Sequence, residues 1–305
     1  MALHNITGKT KLLGVIGYPV EHSLSPVMHN AAIQAIASEF PLDMPLNIIY
    51  VPFAVAPEDL ETAIAGLWSI GVKGLNLTIP HKQAVIPLLA EVSPVAQAVG
   101  AVNTLYRTEQ GWGGTNTDVT GFLAPLRSLP QNWAQSTVVV LGNGGAARAV
   151  VAGCAELGCG AIQVVGRDGD RLHQFLKSWA DHPVNNRLSV HLWQELPNLL
   201  PTTTLLVNTT PIGMHPKADA SPLTEAALGS LPTRAIAYDL IYTPCPTKFL
   251  HLAQTQGAIA IDGLEMLVQQ GAAALELWLQ RSVPVEVMRQ ALETHLQFSP
   301  NQRQL

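Results

Sequence analysis

The chain has 305 residues, of which 48% are hydrophobic and 13% charged, and its formal net charge is −5. This length suits two domains, and so apolar a composition can bury a large core. The negative charge and the lack of a basic cluster exclude a nucleic-acid partner, and no apolar stretch approaches the ~18 residues of a membrane helix. No pair of histidines has metal-ligand spacing, so no metal is expected. We therefore predict a cytoplasmic α/β protein with no metal and no membrane partner.

Apolar, strand-like runs alternate with helical patterns from Lys11 onward. The alternation predicts a βαβαβα arrangement whose last helix follows Pro80. A hairpin within residues 101–114 and a helix beginning near Asp118 come next. The predicted strands cover residues 11–17, 47–53 and 72–77, and the first two helices cover residues 26–37 and 57–70.

A second α/β region is predicted from about Thr137 to Ala260, with its strands separated by turns rich in Pro and Gly. Two helical patterns follow, and we expect these helices to return to the first domain. The predicted domains are a substrate domain (1–118), a Rossmann-like dinucleotide domain (119–260) and the C-terminal helices (261–305).

A glycine-rich turn opens the second region, directly after the apolar run Thr137 to Leu141. It matches G-x-G-x-x-A, in which the first glycine permits a tight turn and the second lets the backbone approach a pyrophosphate. The phosphates would then lie at the N-terminus of the following helix. The turn therefore predicts dinucleotide binding by Gly142, Asn143, Gly144, Gly145 and Ala146.

The residues after the next strand bear on the choice of cofactor, since NAD enzymes usually have an acidic residue there. This chain has Gly166 and then Arg167, and Arg167 and Arg171 are expected four residues apart on one helix face, where both can bind a 2′-phosphate. NADP is therefore favoured. Asp168 would repel that phosphate, or would instead pair with Arg171 and bind a ribose.

The segment Asn76 to Lys82 places two polar side chains ahead of a lysine that opens a helix. A cation there opposes the helix dipole by roughly 0.3 to 1 kcal/mol, which favours the neutral amine, a general base. Asn76 and Thr78 would project to the same side as each other. The alternative is a turn whose lysine points into solvent.

Several motifs together resemble the shikimate dehydrogenase family, from about Lys11 to Phe298. The resemblance implies a two-domain α/β fold and the NADP-linked interconversion of shikimate and 3-dehydroshikimate, on the route to chorismate and aromatic amino acids. The motifs are Ser23 to Pro26, Asn76 to Lys82, Gly100 to Thr104, Asn116 to Asp118, Asn208 to Met214, Tyr238 to Leu240 and Met266 to Gln270.

The resemblance also implies roles for individual residues. Lys82 and Asp118 would be the catalytic pair, with a helix N-cap as the alternative for Asp118. Ser23 and Ser25 would bind the substrate carboxylate, although Ser25 ahead of Pro26 also suits a helix cap. The ring hydroxyls would be bound by Asn76, Thr78, Asn103, Gln270 and, from the cofactor domain, Tyr242. A turn residue is the alternative for Asn103, and an exposed helix amide the alternative for Gln270.

For the cofactor, the resemblance implies that Thr209 and Leu240 line the nicotinamide pocket, with Gly263 nearby where a side chain would intrude. Leu240 is equally compatible with a plain core position. The chain departs from the family pattern at Gly166 and Asp168, where Asn and Thr are usual.

Two rival functions remain open at this point. One is an NAD-dependent quinate/shikimate dehydrogenase, supported by Asp168. The other is a non-catalytic dinucleotide sensor, because a fold does not determine function. The oligomeric state is also open, a homodimer included.

Overall fold

The computed structural model describes residues 6–39 and 46–298. These residues form two compact units. One unit runs to Gly121 and resumes at Val268, and the other covers Phe122–Leu267. The chain passes between the units within two helices, α5 (Asp118–Arg127) and α11 (Leu264–Leu279). No helix in the described ranges is long and apolar enough to cross a membrane.

The first unit is built on a mixed six-stranded sheet in the order β2-β1-β3-β5-β6-β4. The central strand β1 pairs in parallel with β2 and β3, whereas β5 runs antiparallel to β3 and β6. Since β1 is buried along most of its length, it reads as an almost continuous apolar run. The strands are β1 (Lys11–Gly17), β2 (Ile48–Ala54), β3 (Gly74–Leu77), β4 (Glu91–Val92), β5 (Thr104–Arg107) and β6 (Trp112–Thr115).

Helices cover this sheet, and the last helix of the chain packs on the first, as predicted for the C-terminal region. The close approach of α11 to α1 depends on Gly271, because a Cβ there would lie 2.3 Å from the Met28 side chain. Besides α5 and α11, the helices are α1 (Ser25–Ala37), α2 (Leu60–Ser69), α3 (His81–Ala84), α4 (Pro94–Val99) and α12 (Val285–Phe298).

The second unit is a parallel six-stranded sheet in the order β12-β11-β10-β7-β8-β9. The strand order reverses beside β7, as in a doubly wound dinucleotide-binding fold. The strands are β7 (Thr137–Leu141), β8 (Ala161–Gly166), β9 (Leu188–Leu192), β10 (Leu205–Asn208), β11 (Ile236–Asp239) and β12 (Ile259–Ile261). The helices are α6 (Gly145–Glu156), α7 (Gly169–Lys177), α8 (Leu196–Leu199), α9 (Glu225–Leu228) and α10 (Lys248–Thr255).

The predicted α/β class, Rossmann-like second unit and returning C-terminal helices are thus confirmed. Several elements were not predicted individually, namely β4, β9, α4 and the helices α8, α9 and α10. The helix predicted after Pro80 is the single turn α3. Its brevity matters for Lys82, because a four-residue helix lacks the aligned peptide units that give a macrodipole its strength.

Candidate active site

The first unit holds a close ion pair between Lys82 and Asp118. The Lys82 Nζ lies 2.6 Å from Asp118 Oδ2, and the two side chains are 22% and 8% exposed. The other carboxylate oxygen accepts a hydrogen bond of 2.9 Å from Asn103 Nδ2. Asp118 is the first residue of α5, and its carboxylate is bonded to side chains rather than to the helix backbone. Lys82 therefore faces a buried carboxylate, an opposite charge that the prediction from the helix dipole did not include.

Asn103 lies at the centre of this arrangement and is almost completely buried. Its Oδ1 accepts from the Thr117 backbone N–H at 2.8 Å and from the Thr104 hydroxyl at 3.0 Å. Its Nδ2 contacts three acceptors, the closest being Asp118. So many bonds to one amide go beyond the role of a turn residue.

Asn76, near the end of β3, is also buried and fully bonded within the unit. Its Oδ1 accepts from the Tyr50 hydroxyl at 2.8 Å, and its Nδ2 donates to Asn103 O and Thr104 Oγ1. Thr78 lies just beyond β3 and is half-buried, and its N–H donates to Ile16 O at 2.9 Å.

The two candidate carboxylate ligands lie at the start of α1. The helix begins at Ser25, and its N-cap is Leu24, which makes no side-chain cap. The capping alternative for Ser25 is therefore wrong. Ser23 is half-buried and accepts from the Ser25 N–H at 3.4 Å, and Ser25 is buried beside it.

Gln270, on α11, belongs to the same unit, and its Oε1 lies 3.4 Å from Asn103 Nδ2. It is therefore not a free surface amide. Tyr242 belongs to the second unit, in the loop after β11, and burial raises the pKa of its phenol.

In the second unit, the glycine turn after β7 has the backbone that its pattern predicts. Gly142 has a φ of +105°, and a Cβ there would lie 2.7 Å from Thr209 Oγ1. At Gly144 and Gly145 an added Cβ would meet nothing within 4 Å, so the turn faces open space. The twelve-residue helix α6 begins at Gly145 without a side-chain cap. Uncapped N–H groups beside open space suit a phosphate.

The three residues expected near nicotinamide come close to one another in this unit. The Thr209 hydroxyl donates to Leu141 O at 2.7 Å, and the Leu240 N–H donates to Asn208 O. A Cβ on Gly263 would lie 2.2 Å from Leu240 O, so this glycine allows the chain to pass its own backbone.

The segment after β8 differs from its prediction in one respect. Arg167 precedes α7 instead of lying on it, so the two arginines do not share a helix face. Asp168 is the N-cap of α7, where Oδ1 accepts from the N–H groups of Asp170 and Arg171. Its Oδ2 lies 3.7 Å from Arg171 Nε. Arg167 is exposed and has no partner in the described part of the chain.

Comparison with known proteins places the chain in a family. The model of the shikimate dehydrogenase substrate binding domain matches residues 15–105, and that of the shikimate 5'-dehydrogenase C-terminal domain matches residues 263–293. A protein of Gloeothece citriformis named shikimate dehydrogenase (NADP(+)) is 62% identical over 95% of this chain and 98% of its own. The chain belongs to the shikimate dehydrogenase family.

Solved structures of this family agree with the fold. A shikimate dehydrogenase crystallised with NADP+ has a TM-score of 0.83 and 35% identity, over 95% of this chain and 97% of that one. A shikimate 5-dehydrogenase from Thermus thermophilus, in complex with NADP(H) and shikimate, has a TM-score of 0.80 and 32% identity, over 93% and 99% of the two chains.

Sequence reasoning assigned no role to two buried groups in this family member, Tyr50 and Asp239, although Asp239 lies within one of the quoted motifs. Asp239 ends β11 and accepts hydrogen bonds from Thr247, Asn208 and the Ile241 N–H. Burial raises the pKa of its carboxyl to about 6, and the three donors offset part of that rise. Tyr50 lies in an ordinary alternating strand, so nothing local distinguishes it from core.

Proposed function

We propose that the protein catalyses the reversible reduction of 3-dehydroshikimate to shikimate with NADPH. The observation that carries the proposal is the Lys82–Asp118 pair, held by Asn103, in a chain 62% identical to a protein named for this activity. As part of the proposal, the first unit binds the substrate and the second binds NADP.

Lys82 is the proton-transfer group in this scheme. When the ketone is reduced, a proton must reach its oxygen, and an ammonium beside that oxygen supplies it. In the oxidation direction the neutral amine accepts the hydroxyl proton. Asp118, at 2.6 Å, orients the amine and stabilises its charged form, while Asn103 fixes the carboxylate.

The substrate ligands follow from their exposure and bonding. Ser23 and Ser25 supply hydroxyl donors to the carboxylate, and Thr78 is half-buried with its hydroxyl available. Asn76 uses both amide hydrogens within the unit, so a ring hydroxyl reaches it as a donor to Oδ1. Asn103 instead offers Nδ2, which can exchange its 3.4 Å contact with Gln270 for a ring hydroxyl. Gln270 and Tyr242 complete the proposed set.

The second unit fits NADP, which when bound accepts or supplies the hydride. The uncapped start of α6 and the open backbone of Gly144 and Gly145 suit the pyrophosphate. Arg167 and Arg171 are both exposed and suit the 2′-phosphate. Asp168 Oδ1 caps α7, so this oxygen is not available to bind a ribose hydroxyl as it would in an NAD enzyme. This bonding supports NADP as the cofactor. Asn143, Ala146, Gly166, Thr209, Leu240 and Gly263 complete the proposed cofactor residues.

The proposal can be tested with purified protein by following the formation of NADPH or NADH by absorbance. Four pairs are compared, namely shikimate with NADP, shikimate with NAD, quinate with NADP and quinate with NAD. Turnover of shikimate with NADP, in clear preference to the other three pairs, is expected. Preference for NAD or quinate would transfer the protein to the rival enzyme class, and no turnover would favour the sensor.

A cytoplasmic location and a homodimer stay predictions.

A further inference from the structure

We propose that Tyr50 is a positioning residue for this reaction, because its buried hydroxyl sets the orientation of Asn76 and, through Thr104 and Asn103, that of Asp118. The inference rests on the proposed function and adds a residue that lies outside the catalytic pair and its direct ligands. Every group that carries it belongs to the first unit.

The Tyr50 ring packs against two aromatic side chains that also lie close to each other. On β2, Tyr50 pairs with Leu13 of the central strand, and its phenol extends past that strand to Asn76 on β3. His29 of α1 stacks on the ring, with centroids 4.2 Å apart and planes inclined by 9°. Trp278 of α11 lies 6.2 Å away at 40°. The ring therefore has a fixed position, and its hydroxyl has a fixed target.

The direction of the Tyr50 bond follows from the partners of Asn76. The backbone carbonyl of Asn103 can only accept, so the group 3.2 Å from it must be the Asn76 Nδ2. The Asn76 Oδ1 then faces Tyr50 at 2.8 Å, and the phenol donates.

The same reasoning extends from Asn76 to the catalytic pair. Asn76 Nδ2 donates to Thr104 Oγ1 at 3.1 Å, and the Thr104 hydroxyl donates to Asn103 Oδ1 at 3.0 Å. Asn103 Nδ2 then donates to Asp118 Oδ1 at 2.9 Å. Every donor in this chain points toward Asp118, whose other oxygen accepts from Lys82.

Loss of the phenol hydroxyl removes the donor that holds Asn76 Oδ1. A buried carbonyl without a donor is unfavourable, so the amide shifts toward another donor. Its Nδ2 stays bonded to Asn103 O, and the shift distorts the 3.1 Å bond to Thr104, which orients Asn103. Asp118 would then lose its fixed partner, and the effect would fall on proton transfer rather than on NADP.

Tyr50→Phe tests this role, because the ring that stacks on His29 is kept. We expect kcat with shikimate to fall about tenfold, with the KM for NADP unchanged. Trp112→Phe is the matched control. It removes a buried aromatic hydrogen bond of the same unit, from Nε1 to Ile64 O at 3.0 Å, without touching the amide chain or the side chains around Tyr50. It should lower the melting temperature and leave kcat unchanged.

A double-mutant cycle separates positioning from general stability. If Tyr50 acts through Asn76, the effect of Tyr50→Phe on kcat should disappear in an Asn76→Ala background. Independent, additive effects would overturn the inference, as would a Tyr50→Phe enzyme with full kcat beside an active wild type. A wild-type protein inactive with shikimate and NADP would overturn the proposed function, and this role with it.

Discussion

Acidification should destabilise the first unit through one buried histidine. His29 is fully buried against Tyr50, and no described residue meets hydrogen-bond geometry with either of its ring nitrogens. Burial lowers the pKa of His29 from 6.5 to about 3, and the neighbouring Asn76 offsets only part of that shift. The folded unit therefore keeps this imidazole neutral under conditions that protonate it in the unfolded chain.

The sign and size of this destabilisation follow from the linkage between proton binding and folding. Between pH 6.5 and 3 the unfolded chain binds a proton at His29 that the folded chain does not. The free energy of unfolding is therefore unaffected by His29 above pH 6.5 and decreases as the pH falls below it. Between pH 7 and 5 the loss is about 2 kcal/mol, at about 1.36 kcal/mol per pH unit below 6.5. That is a large share of the roughly 5–15 kcal/mol that stabilises a typical domain.

The assay is denaturant unfolding at a series of pH values from 7 to 5, compared between wild type and His29→Phe, which keeps a ring against Tyr50. Replacement changes absolute stability as well, so the difference between the two pH slopes is the measured quantity. His29→Leu serves as a second variant if the larger ring does not fit beside Gly271. Equal slopes in wild type and both variants would refute the linkage.

Three further changes have expected outcomes. Lys82→Met should lower kcat by about 10²–10⁴-fold, whereas Lys73→Met, at an exposed position, should leave it unchanged. Equal steady-state kcat values in wild type and Lys82→Met would exclude Lys82 as the proton donor. Asp168→Asn keeps an N-cap and removes the carboxylate that lies 3.7 Å from Arg171. The KM for NADP should therefore fall a few-fold while the KM for NAD is unchanged, and a rise in both KM values would contradict this prediction. The pKa of Asp239 is raised from 3.8 to about 6, so this carboxyl binds its proton more readily in the folded protein than in the unfolded chain. The free energy of unfolding of the second unit, measured by hydrogen exchange, should therefore rise by roughly 1 kcal/mol from pH 7 to 5. The same rise in Asp239→Asn would argue against this role of Asp239.

Local patterns were sufficient for much of the fold and for part of the site. The glycine turn could be predicted because its tight bend and helix start are encoded in six consecutive residues, beginning at Gly142. The role of Tyr50 could not, since it depends on β1 lying between β2 and β3, a pairing over tens of residues. The capping of α7 by Asp168 could also have been predicted from the sequence, because Asp is a favoured N-cap and the helical pattern follows it directly.

The bonding of Asn103 indicates where a substrate hydroxyl can enter the first unit. Its Nδ2 has two hydrogens but lies near three acceptors, at 2.9 Å from Asp118, 3.0 Å from Thr117 and 3.4 Å from Gln270. Since a primary amide cannot satisfy all three, the longest contact is the weakest and the easiest to exchange. Gln270 is thus the partner that a ring hydroxyl can replace without disturbing Asp118. The arrangement keeps the catalytic carboxylate fixed while the weakest contact of Asn103 can be exchanged for the substrate.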